Sequence, residues 1–119
     1  MNKPLQEPTV LILTALVDEP LHGYGLLAEV ERVSAGRVRL RVGTLYAALD
    51  RLTSEGLVEV ESEEVVSGRL RRTYRITSAG AGALAVEVDR MAALARTAGA
   101  RLRGRGTAGT PTLAPGGAR

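Results

Sequence analysis

Cysteine is absent from the sequence, which removes disulfide scaffolds, thiolate nucleophiles and zinc fingers together. Phenylalanine and tryptophan are missing too, and Tyr24, Tyr46 and Tyr74 are the only aromatic residues. A platform for single-stranded bases needs several exposed rings, so the composition argues against that class, and a core has to be assembled from Leu, Val, Ala and Ile. The strongest apolar run, Val10 to Val17, has eight residues, against the roughly 20 that a membrane span takes, and no basic leader precedes it. The lone histidine, His22, has no carboxylate-and-nucleophile set around it, and turn packing or a helix cap is its expected role. These absences lead to the expectation of a cytoplasmic protein without a membrane partner, cofactor, metal site or catalytic centre.

What is present suits one compact domain with an appendage: 119 residues, of which 45% are hydrophobic. The net charge of +3 is unevenly spread, with two basic and five acidic residues in 1–36, eight and six in 37–75, and six and two thereafter. After Lys3 every basic residue is arginine. The guanidinium fork suits phosphate oxygens and guanine edges, so the bias leans toward nucleic acid, although an arginine-rich genome produces the same composition.

Pro8 fits a first helical turn, and Thr9 to Val17 is apolar almost all round, as in a helix buried on most faces. Asp18-Glu19-Pro20 ends this first helix. From His22, Leu26, Val30 and Val33 recur at helical spacing, and Ser34-Ala35-Gly36 closes a second, amphipathic helix. Arg37 to Arg41 alternates in period two, with Val38 and Leu40 inward and three arginines outward on a short strand or extended loop. A third helix is expected from Gly43-Thr44, with Thr44 as a cap, Leu45, Ala48, Leu49 and Leu52 inward, and Gly56 as its stop. Leu57 to Glu63 and Arg71 to Thr77 alternate as a hairpin with its tip in Glu64 to Leu70, Val58, Val60, Tyr74 and Ile76 facing inward. Beyond Ser78, Leu84, Val88, Met91, Ala95, Ala98 and Leu102 follow heptad spacing, a seam that a single helix cannot bury and that favours a second copy of the chain. The Gly, Thr, Pro and Ala content from Gly104 reads as a disordered tail.

Three small helices and a two-stranded wing followed by a long helix define a mainly α (α+β) fold, the winged helix-turn-helix with a C-terminal dimerisation helix. The expected division is a DNA-binding domain over 1–77, a dimerisation helix over 78–103 and a tail over 104–119. The strongest constellation is Thr44, Ala47 and Arg51 on the free face of helix 3, flanked by Arg37, Arg39 and Arg41. Small outward residues let a helix approach base edges, while flanking arginines neutralise phosphates. In the hairpin, Glu59, Glu61 and Glu63 oppose Arg71, Thr73 and Arg75, so cross-strand pairing competes with DNA contact. Arg69 is assigned to DNA and Arg75 to pairing, with Arg71 and Arg72 open to either. Tyr46, at the border of the two faces of helix 3, either packs on helix 2 alone or also extends its hydroxyl to a phosphate.

The stretches HGYGLLAEVERVS (22–34), VGTLYAALDRLTSEGLV (42–58) and GRLRRTYRITSAG (68–80) together resemble the PadR family of bacterial transcription regulators, over about residues 7 to 103. The resemblance implies a homodimer in which the C-terminal helix packs on helix 1 of the partner, which adds Val10 and Leu13 to the dimerisation set. It further implies a repressor that leaves an inverted-repeat operator on binding a small-molecule effector, of unassigned identity here, and the single C-terminal helix matches the smaller subclass. The tryptophan with which some relatives stack flat ligands is absent, and Arg41-Val42 stands where serine or proline commonly precedes helix 3. The alternative expectation is a winged-helix protein-interaction module that does not bind DNA.

Overall fold

The computed structural model describes residues 4–107. They form two compact units, one reaching to Glu87 and the other starting at Val88. The first contains α1 (Glu7–Ala15), β1 (Leu21–His22), α2 (Gly23–Val33), α3 (Val42–Ser54), β2 (Val58–Val66), β3 (Arg69–Ile76) and the opening turns of α4 (Ser78–Thr107).

The core of this unit is aliphatic apart from Tyr74. Ile12, Leu13, Leu26, Val30, Leu45, Leu49 and Leu52 are completely buried, joined by Leu16, Val58, Tyr74 and Leu84. Burying each such side chain contributes about 1.5–3 kcal/mol. The inward faces expected of α3 and of most of α2 are thus the observed ones. Val33 departs from the pattern and is 38% exposed, because α2 closes there. The N–H of Ala35 donates to the Arg32 carbonyl and that of Gly36 to the Glu31 carbonyl, with both residues at positive φ, and this αL closure turns the chain away from the core.

α1 begins at Glu7 and ends at Ala15, two residues short of the expected Val17, which is exposed. His22 caps α2, its Nδ1 accepting from the Gly25 N–H at 3.3 Å. Val42 rather than Thr44 opens α3, the cap residue is Arg41, and no side chain completes the cap. Gly56, at φ +78°, follows the C-cap as expected, and the Leu57 N–H closes the helix on the Leu52 carbonyl.

The sheet order is β1-β3-β2, all antiparallel. The short strand expected within Arg37–Arg41 lies elsewhere. Leu21–His22 takes the free edge of β3, opposite Tyr74 and Thr73. Arg37–Arg41 is extended without a ladder partner, tied at Val38 to the Ser34 hydroxyl, and it keeps its alternation, with Val38 and Leu40 half-buried and the arginines exposed. The hairpin is longer and its tip tighter than expected. Only Ser67-Gly68 lies between the strands, at φ +52° and +78°, the signs that a two-residue type I′ turn requires.

The second unit is the remainder of α4. Its Val88, Met91, Leu94 and Leu102 are exposed. The helix continues through Gly104 to Thr107 instead of yielding to a tail at 104, and arginines near its end favour the negative pole of the helix dipole. Residues 108–119 of the expected tail lie outside the described residues. No described helix is long and apolar enough to cross a membrane.

Candidate nucleic-acid interface

The start of α2, the start of α3 and the wing tip surround a concavity of about 420 Å³, lined by His22, Tyr24, Leu27, Val42, Tyr46, Val66, Arg69, Leu70 and Arg71. Tyr24 is 72% exposed and was not among the expected site residues; its place beside the glycines that open α2 is the only signal for it in the sequence. The Tyr46 ring packs over the beginning of α2, so closely that a Cβ on Gly23 would overlap the Tyr46 hydroxyl. Gly23 therefore makes room for the ring that joins the two helices.

α3 turns Leu45, Ala48, Leu49 and Leu52 to the core and leaves Val42, Gly43, Thr44, Ala47 and Asp50 exposed. Arg51, expected on the free face, is drawn aside. Its Nη2 donates to the hydroxyl of Thr9 at 3.1 Å and its Nη1 lies 3.8 Å from Glu55. It lines a separate groove of about 720 Å³, with Leu5, Thr9, Glu55, Ala83 and Glu87. The pull comes from α1, whose buried Thr9 finds its hydrogen-bond partner in this guanidinium.

The remaining arginines sort by their partners. Arg37 pairs with Glu7 and Arg39 with Glu31, each at 3.1 Å, both exposed pairs of the kind that contributes 0–1 kcal/mol and exchanges readily for another anion. In the wing, Arg75 donates to Glu59 at 2.6 Å and Arg72 to Glu63 at 2.8 Å. The second pair exists because Glu61 is an extra residue: the register shifts between Val60 and Ser62, so that Glu63 faces Arg72 and Glu64 faces Arg71. A bulge of this kind moves every later side chain to the other face. The three glutamates therefore do not form the single row that strict alternation predicts. Arg41, Arg69 and Arg71 make no side-chain hydrogen bond or ion pair among the described residues.

Burial pushes the Tyr74 hydroxyl above its ordinary range, with the adjacent Arg72 guanidinium acting in the opposite direction. No described cluster of His, Asp or Glu could hold a metal ion.

The expected dimerisation residues divide by burial. Leu13 and Leu84 belong to the chain's own core, at 0% and 7% exposure, and offer nothing to a partner. Val10 is half-buried, whereas Val88, Met91, Ala95, Ala98 and Leu102 are exposed.

With this geometry established, the profile of the transcriptional regulator PadR-like family matches residues 12–86. The chain belongs to the PadR-like family. A transcriptional regulator of Mycobacterium tuberculosis is 41% identical over 85 residues, covering 71% of this chain and 76% of that protein. The crystal structure of a PadR family transcription regulator from Clostridium difficile aligns with a TM-score of 0.65 at 25% identity, covering 79% of this chain and 96% of that one. Bacillus subtilis PadR, solved in complex with operator DNA, shares the fold with a TM-score of 0.62 at 19% identity, covering 70% of this chain and 48% of that one. This PadR-like chain is a transcriptional regulator, and its winged-helix fold is that of its relatives.

Proposed function

We propose that this PadR-like regulator binds double-stranded DNA as a homodimer, with α3 in the major groove and the wing tip on the adjacent backbone, and represses transcription from an inverted-repeat operator. The observation that carries the reading is the placement of unpaired positive charge. Arg69 and Arg71 line the concavity beside α3, and Arg41 caps that helix, while Arg72 and Arg75 of the same hairpin are paired with glutamate. Unpaired guanidinium groups around a helix with small outward residues suit a phosphate backbone on either side of a groove. The operator complex of the Bacillus subtilis neighbour supports the same mode of use.

In this reading residues 1–77 form the DNA-binding domain and the helix from Ser78 dimerises. The exposed stripe of Val88, Met91, Ala95, Ala98 and Leu102, with Leu94 beside it, meets its counterpart and the partner's Val10. A twofold dimer presents two α3 helices to one duplex, which requires a symmetric site. A small effector releases the operator.

Fluorescence anisotropy on a duplex carrying the promoter of the regulator's own gene, repeated over a salt series, tests the DNA contact. Replacing both Arg69 and Arg71 with Ala lowers the slope of log K against log salt by about two, one for each phosphate lost; an unchanged slope removes the wing from the interface. Sedimentation tests the dimer, with Met91→Glu and Leu94→Glu expected to give monomers. A stable dimer that ignores duplex DNA in dilute salt would favour the protein-interaction module instead.

A further inference from the structure

The outward strip of α3 carries no basic side chain. Opposite the buried Leu45, Ala48, Leu49 and Leu52 lie Gly43, Ala47 and Asp50, all exposed, and the one arginine within α3, Arg51, is held by Thr9 and Glu55. Asp50 has no hydrogen bond or ion pair among the described residues. A carboxylate on a surface that meets a polyanion is repelled by phosphates, so its presence there calls for a compensating donor. Gly43 is the second peculiarity. Its φ is not positive and a Cβ on it would meet nothing within 4 Å, so neither backbone geometry nor packing within the chain calls for glycine, a poor helix former. Bare backbone at that point allows an outside surface to come close.

We propose that Asp50 is a specificity-determining residue that selects cytosine in each half-site, reached because Gly43 and Ala47 let α3 settle deeply into the major groove. The proposal rests on the DNA-binding reading above. In the major groove the amino donors are N4 of cytosine and N6 of adenine. Adenine sets its donor beside the N7 acceptor, which repels a carboxylate, whereas cytosine offers a donor alone, so the charge on Asp50 favours cytosine.

The test is selection of duplexes from a randomised library by the full-length protein and by its Asp50→Ala and Asp50→Asn variants, followed by affinity measurements on the enriched site. The wild type enriches an inverted repeat with one strongly preferred cytosine in each half. Asp50→Ala loses that preference, by about tenfold in discrimination, and keeps the other positions and the salt slope. Asp50→Asn shifts the preference to adenine, whose N6 and N7 fit an amide. Gly43→Leu weakens binding to the enriched site at least tenfold with folding intact by circular dichroism. Enrichment by the wild type with an unchanged cytosine preference in both Asp50 variants overturns this inference and leaves DNA binding standing. Failure of the wild type to enrich any sequence overturns the underlying reading itself.

Discussion

The base and the tip of the wing are built from the same two strands, yet their side chains are treated in opposite ways. At the base Val58 and Tyr74 are buried to 1% and 2% exposure, and each arginine has a glutamate across the ribbon, Arg75 with Glu59 and Arg72 with Glu63. At the tip Val65 and Leu70 are 71% and 56% exposed, Arg69 stands opposite Val66, and Arg71 makes no ion pair with the Glu64 it faces. The base is thus compensated internally and the tip is left unsatisfied. A glutamate across the ladder is not enough to set the two groups apart, since Arg71 faces Glu64 without pairing to it, whereas Arg72 and Arg75 nearer the base are paired with theirs.

The sharpest way to break this comparison is to remove apolar bulk from each end. Tyr74→Ala is expected to cost about 3–5 kcal/mol in urea denaturation, whereas Leu70→Ala stays within about 0.5 kcal/mol; equal losses would show the tip to be packed after all. Next in size is the turn. Gly68→Ala places a Cβ at φ +78° and costs about 1–2 kcal/mol in thermal melts, with weaker DNA binding because the tip arginines lose their setting. The charges then distinguish the halves directly. Arg75→Ala costs about 0.2–1 kcal/mol of stability and leaves the salt slope of DNA binding alone, while Arg69→Ala leaves stability alone and lowers the slope by about one. A matching slope change in both variants would erase the distinction.

The smallest effect is on titration. A phenol ionises near pH 10 when free, and burial raises Tyr74 above that, so the folded state holds this proton more tightly than the unfolded one. Its contribution to stability is constant below about pH 10 and is lost as pH climbs through the raised value. Urea denaturation of Tyr74→Phe compared with wild type across alkaline pH measures it, and parallel profiles would place the hydroxyl in water.

Local pattern made much of this legible. The inward faces of α2 and α3, the hairpin, the Gly56 stop and the outward arginines of the Arg37–Arg41 segment all follow from periodicity or turn chemistry within a few residues. What escaped depends on partners distant in sequence. β1 exists because β3 has an open edge at Thr73 and Tyr74, and a two-residue strand has no period to reveal it. The extra residue at Glu61 leaves the composition of β2 unremarkable, yet it moves Glu63 across the sheet and thereby decides the role of Arg72. Arg51 sits at the right spacing for the free face and is taken away by Thr9, 42 positions earlier in the chain. Similarly, the heptad of α4 treats Leu84 and Val88 alike, although the first unit buries one of them and the other lies exposed.

Glycine is a poor helix former, yet α4 carries one in its first turn, at Gly80. A Cβ on it would overlap the carbonyl of Leu57, which also accepts from the Thr77 N–H, and the Leu57 N–H in turn closes α3 on Leu52. One residue is therefore gripped by main chain on both sides, leaving no pliable rotamers between the foot of α4 and the last turn of α3. A displacement of the foot of α4 would pass to the end of α3 with little slack, through a joint made of main chain.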